Sequence, residues 1–183
     1  MIIDPSDVKV LGISGKAGSG KDYLARTAAW KYNLLPLSLA AHFKAKLSAY
    51  DPHLADEIYG REDRSDDVRQ VLQAHGHTTR LDAGEDIWCL HVEAWMSYFL
   101  DYGYNKFVIP DIRYKNEVDF VQNLGGKVVR VVGRGGLKGE LGEHPSETSL
   151  TDELTIYDHV FDNSPELEAS SVERFLNLVG VIL

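Results

Sequence analysis

Val8-Lys9-Val10-Leu11-Gly12-Ile13-Ser14-Gly15-Lys16-Ala17-Gly18-Ser19-Gly20-Lys21-Asp22 is the stretch that decides the fold. Its first half, 8–14, reads as a buried strand, and its second half fits G-x-x-x-x-G-K at every required position, with a helical pattern directly after it. Glycines at these positions let the backbone wrap closely enough for several N–H groups to point at one phosphate chain. The positive end of the following helix adds to their pull. Gly15, Lys16, Ala17, Gly18, Ser19, Gly20, Lys21 and Asp22 therefore form a candidate polyphosphate cradle, with Lys21 as the mobile cation for the β and γ phosphates. Asp22 stands where Ser or Thr usually offers a hydroxyl to Mg²⁺. A carboxylate there suits Mg²⁺ or its waters, since that ion prefers oxygen ligands. It equally suits the first turn of a helix.

Outward from this loop, short apolar runs alternate with helical patterns. Helices are expected over 21–32, 42–49, 52–59, 68–75, 86–102 and 117–124, and from Pro165 towards Leu183, where Ser164 offers a cap. Strands are expected over 35–39, which Pro36 interrupts, over 107–109 up to Pro110 and Asp111, over 128–132, and at Val160-Phe161. The glycine-rich stretch 133–142 reads as irregular, and the whole of 133–147 as a lid. Such alternation implies a single three-layer α/β domain over 1–183, a central parallel sheet with helices on both faces, and a functional edge at the carboxyl ends of its strands.

The chain has 183 residues, 44% hydrophobic and 26% charged, and a formal net charge of −9. That balance argues against a nucleic-acid polymer as partner, because counterion release needs a basic surface. A small phosphorylated ligand remains compatible with it. No apolar run is long enough to span a bilayer, and 1–8 carries no basic signal-like segment, so a cytoplasmic location is expected and no membrane partner. The lone cysteine, Cys89, lies between Trp88 and Leu90 and reads as a buried thiol. Trp30, Trp88 and Trp95 read as core residues, with Trp88 equally able to face a base. The apolar side of 86–102 serves a core or a homodimer contact equally well.

Asn105-Lys106-Phe107-Val108 has half of the guanine-reading Asn-Lys-x-Asp element but lacks its aspartate, which disfavours a GTPase switch. Several segments together resemble the bacteriophage-type deoxynucleoside monophosphate kinases. They are Gly18-Ser19-Gly20-Lys21-Asp22, Leu39-Ala40-Ala41-His42-Phe43-Lys44, Arg69 with Leu72, Gln73, Gly76 and Arg80, Ile87-Trp88, Asp111-Ile112-Arg113 with Glu117, His144-Pro145-Ser146-Glu147, and Asp162-Asn163-Ser164. His42 departs from the acidic residue more usual in that segment. The resemblance implies a P-loop kinase fold, ATP as phosphate donor with Mg²⁺, and transfer of the γ-phosphate to a deoxynucleoside monophosphate in the cytoplasm of a phage's host. Kinases for phosphomevalonate or dephospho-coenzyme A share parts of the pattern, and a non-catalytic nucleotide-binding module is the other class.

Phosphoryl transfer asks a protein mainly for alignment and for cations where charge spreads. Arg69 and Gln73 share one helix face and suit an acceptor's phosphate and base edge, with Arg80 beside them, all within an acceptor-binding helical region of about 42–102. A solvated polar face with acidic partners is the plain alternative. Asp111 closes an apolar strand, where Mg²⁺, reached through water, or Arg113 would satisfy it. Arg113 is a candidate for the acceptor phosphate, or simply a partner of Glu117. Arg130 and Arg134 flank the lid and could swing charge onto the moving phosphate; His144 and Glu147 could latch it or touch the acceptor. Asn163 could border an adenine.

Overall fold

A computed structural model of the chain describes residues 3–59, 64–149 and 154–183. Strands β1 (Lys9–Gly15), β2 (Leu35–Pro36), β3 (Lys106–Ile112), β4 (Lys127–Val132) and β5 (His159–Asp162) form one sheet. Its order is β2-β3-β1-β4-β5 and every neighbouring pair runs parallel. Helices α1 (Lys21–Tyr32), α2 (Ala41–Tyr50), α3 (Ala55–Tyr59), α4 (Asp66–Ala83), α5 (Ile87–Leu100), α6 (Lys115–Asn123), α7 (Glu140–Glu143), α8 (Pro145–Thr148) and α9 (Glu168–Ile182) join them. No helix of the described residues is long and apolar enough to cross a membrane.

The central strands are apolar on both sides because both sides are covered. Val10, Phe107, Ile109 and Val128 face α5 and α6, packing on Val92, Met96, Val118 and Val121. Leu11, Ile13, Val108, Val129 and Val131 face α1 and α9, packing on Leu24, Ala28, Phe175 and Val179. Each such large side chain removed from water contributes about 2 kcal/mol, which makes the three-layer arrangement the stable one.

Several elements differ from the sequence expectation. β3 does not stop at Pro110 but runs to Ile112. β2 pairs only with Phe107 and Val108, so the ladder on that side is already open where proline lacks its N–H. The β1 register shifts between Gly12 and Ser14, which oppose Ile109 and Ile112, so Pro110 and Asp111 bulge out. β2 is two residues long rather than five. α4 spans 18 residues from an N-cap at Ser65, whose hydroxyl accepts from the Val68 N–H, and carries Gly76 and Arg80 inside it. The glycine-rich stretch includes one helical turn, α7. The polar run after Tyr59 lies partly outside the described residues, at 60–63.

Of the three tryptophans only Trp88 is in the core; Trp30 is 87% exposed and Trp95 is 52% exposed. Trp95 joins Tyr98, Phe99, Tyr102 and Tyr104 in a chain of ring contacts along the outer face of α5. Helical spacing alone does not say which stripe of α1 or α5 meets the sheet. Cys89 is buried, and burial pushes its thiol up to about 12.

Candidate functional site

β1 delivers the chain to Gly15 in the middle of the sheet, and α1 leaves from Gly20. Gly20 adopts the left-handed region with φ 86°, and a Cβ there would stand 2.5 Å from Asn163 Nδ2. Only glycine fits both demands. Ser19 N–H donates to the Lys16 carbonyl at 3.1 Å, closing the loop, and α1 starts without a side-chain cap. Lys21 is 4% exposed, its Nζ 3.5 Å from Asp22 Oδ2. Burial pulls the Lys21 ammonium below its ordinary value, while Asp22 opposes that shift. A phosphate beside it would meet a cation poorly solvated by water.

Gly133 to Gly136 folds back over this loop. Gly136 N–H donates to the Ala17 carbonyl at 2.7 Å, and Gly135, with φ 89°, packs so closely on Ala17, Gly18 and Ser19 that no Cβ would fit. Arg134 Nη2 lies 3.7 Å from the place a Gly20 Cβ would occupy, which puts its guanidinium at the loop's helix side.

Beside the loop lies a cavity of about 540 Å³. Lys21, Asp22, Asp111 and Arg113 line its sheet side; Arg69, Gln73, His77 and Arg80 line it from α4. Phe43, Lys44 and Trp88 form a third wall, and Leu137, His144, Ser146 and Glu147 close it. Phe43 and Trp88 meet with ring centroids 5.0 Å apart and planes tilted by 57°, an apolar wall near the cations. The structure thus brings most of the sequence-predicted residues to one concavity at the carboxyl ends of β1 and β3.

Their individual arrangements are more specific than the sequence suggested. Asp111 accepts from Ser38 Oγ at 2.6 Å and from the Leu39 and Ala40 amides at 3.0 Å each, so it anchors the segment leading into α2. Glu117 is buried and accepts from the Arg80 guanidinium and from the amides of Arg113 and Tyr114. Burial pushes its carboxyl up to about 7, against the pull of Arg80 and those amides. Arg80 also donates to the Glu85 carbonyl at 2.6 Å and lies 4.1 Å over the Tyr114 ring. Arg80 and Glu117 are therefore partners of each other that shape the cavity wall. Glu117 takes the backbone of Arg113, and the Arg113 side chain pairs instead with Glu147.

Three expectations need correction. Arg130 does not swing at a lid: it is buried in β4, donating to Ser14 Oγ at 2.9 Å, with its guanidinium 5.7 Å from the Tyr157 ring. Asn163 is 1% exposed and does not border an open base site; its Nδ2 donates to the Ser19 carbonyl at 2.8 Å and its Oδ1 accepts from Ser171. Gln73 turns its amide to the Leu141 carbonyl of α7 at 3.1 Å, tying α4 to the lid segment. His144 faces His77 edge-on at 5.8 Å, and burial, His77 and Arg113 hold its imidazole below the usual value.

Lys44 and Arg64 line the cavity too, and sequence reasoning gave neither a role. Burial lowers both; Arg64 and Arg113 depress Lys44 further, as Arg69 and Arg113 do Arg64. The signal for Lys44 was present in the Leu39 to Lys44 segment, but its direction depends on how Asp111 fixes the start of α2.

No model of a known protein family matches the chain. A protein of Acanthamoeba polyphaga mimivirus, provisionally named a deoxynucleotide monophosphate kinase, is 25% identical over 177 residues, covering 87% of this chain and 90% of its own. The crystal structure of TT1252 from Thermus thermophilus superposes with a TM-score of 0.59 at 20% identity, covering 96% of this chain and 98% of its own. The dephospho-CoA kinase of Campylobacter jejuni superposes with a TM-score of 0.55 at 14% identity, covering 95% and 97%. What this chain shares with the two solved structures is the fold, an α/β architecture built on a parallel central sheet.

Proposed function

We propose that this protein is a kinase that transfers the γ-phosphate of ATP to a deoxynucleoside monophosphate, yielding the diphosphate and ADP. The observation that carries the reading is that Lys21 of the phosphate loop and Arg113, Lys44 and Arg69 from three other elements line one cavity, in a chain of net charge −9. The mimivirus relative's name supports the choice of acceptor.

In this reading the loop amides and Lys21 hold the triphosphate, and Arg134 sits on the donor side. The acceptor's phosphate lies among Arg113, Arg69 and Lys44, with its base against Phe43 and Trp88. An oxygen of the acceptor phosphate forms a bond to the γ-phosphorus as the bond to the β–γ bridging oxygen breaks, and ADP leaves with that electron pair. Arg113 and Lys21 offset charge on the moving oxygens, while the segment 133–147 keeps water out. The exposed Asp22 carboxylate, beside Lys21 on the cavity wall, fits a Mg²⁺ ion, and Asp111 fits it through water. When bound, such an ion would supply positive charge that offsets the negative charge of the phosphates.

The exposed aromatic face of α5 offers a surface for two copies to pair, which sedimentation at several concentrations tests. The acceptor is tested by incubating the protein with ATP, Mg²⁺ and a panel of phosphorylated acceptors. ADP release stimulated by deoxynucleoside monophosphates is expected. Turnover of phosphomevalonate or dephospho-coenzyme A alone would reject the acceptor assignment, and tight ATP binding without acceptor-stimulated release would indicate a binding module.

A further inference from the structure

Glu147 is 6% exposed, yet no substrate group is needed to satisfy it. Its Oε2 accepts from the Ala17 N–H of the phosphate loop at 3.1 Å, and its Oε1 pairs with Arg113 Nη1. The same guanidinium nitrogen donates to the Ser146 carbonyl at 2.9 Å. Around the carboxylate lie Gly15, Lys16, Ile112 and Arg130, a recess with no space for a further anion. Two oxygens of one anion, held between a loop amide and a guanidinium, make the arrangement in which a phosphate is bound. The segment that carries Glu147 is a single helical turn that starts at His144, whose Nδ1 accepts the Ser146 N–H at 3.2 Å.

We infer that Glu147 is an internal stand-in for a substrate phosphate: it occupies the loop amide and Arg113 as long as no polyphosphate is bound and must leave both when one binds. This inference rests on the phosphate-loop reading above. Its physical sense is that Arg113 and the Ala17 amide, both part-buried, stay satisfied until a stronger anion arrives. A carboxylate carries one negative charge and a terminal phosphate about two, so the substrate wins the exchange while weaker anions do not. Displacement also frees the 144–149 segment from the loop, linking occupation of the cradle to movement of the cavity's closing wall.

The test is calorimetric titration of sodium tripolyphosphate into the wild-type protein and Glu147→Gln. Glutamine keeps an acceptor for the amide but no charge for Arg113, so the variant is expected to bind about three- to ten-fold tighter. Equal or weaker binding by the variant, with normal binding by the wild type, overturns the stand-in and leaves the phosphate loop intact. Absence of heat with either protein overturns the phosphate-loop reading, and this inference with it. Since the variant could fold poorly, hydrogen exchange on the wild type gives a second readout: tripolyphosphate should speed exchange at 146–149, and unchanged or slower exchange there overturns the inference.

Discussion

Asn163 and Ser19, 144 residues apart in sequence, meet through a 2.8 Å hydrogen bond from the Asn163 amide to the Ser19 carbonyl. The residue just past the edge strand β5 thereby holds the phosphate loop in shape. Replacing Asn163 by Ala leaves the Ser19 carbonyl and Ser171 hydroxyl without this partner in a buried place, at a cost of about 2 kcal/mol. Denaturant unfolding should show that loss, and calorimetry should show weaker ATP binding. A variant with wild-type values in both would exclude Asn163 from positioning the loop.

Lys21→Ala separates binding from folding. The ammonium is buried and desolvated, so its removal should leave the melting temperature measured without nucleotide unchanged or higher. Triphosphate affinity should fall by about 100-fold. A variant that binds ATP normally would remove Lys21 from the cradle.

Arg113→Ala is expected to lower kcat/KM for the acceptor by about two to three orders of magnitude. It also strands the Glu147 carboxylate, which is only 3% exposed in its side chain, at a cost of about 3 kcal/mol in stability. Adding Glu147→Gln to Arg113→Ala should restore much of that stability and none of the acceptor turnover. Unchanged acceptor kinetics in the single variant would take Arg113 out of the reaction.

Acidification should loosen the wall that closes the cavity. His144 Nδ1 accepts the Ser146 N–H, a role open only to the neutral ring, and its folded-state pKa lies below the ordinary 6.5. A depressed histidine contributes stability that is complete above about 6.5 and is lost as pH falls through the lowered folded value. Between pH 7.5 and 5.5 the wild-type melting temperature should therefore drop more than that of His144→Asn. Parallel curves would show that His144 does not drive the change.

Cys89 should be inert while the protein is folded. Its thiol, pushed up to about 12 by burial, yields almost no thiolate at pH 8. A thiol reagent should label it only on unfolding, so fast labelling of the native protein would contradict the packing of α5 on the sheet.

The phosphate loop was legible because its chemistry is local. Gly15 to Asp22 are consecutive, and an apolar strand before them with a helix after them leaves few other conformations. β3 and β4 were legible for a related reason, since strands covered on both faces must be apolar throughout. Trp30 and Trp95 were misjudged because size and hydrophobicity do not reveal which side of a helix meets the sheet. Arg130 was misjudged because sequence places it near a glycine-rich loop, whereas its strand register puts it opposite Ser14.

By itself the sequence determined the alternation of strands and helices, a candidate cradle for a polyphosphate, and a set of candidate cations spread over 69 to 134. Only the tertiary structure decided which partner each charge takes: Arg80 with Glu117, Arg113 with Glu147, Asp111 with the start of α2. The reason is that charge pairing acts through space over a few ångströms, and parallel-sheet crossovers bring residues 30 or more positions apart into that range. Local pattern governs backbone conformation, while burial and long-range contact govern what each functional side chain is free to do.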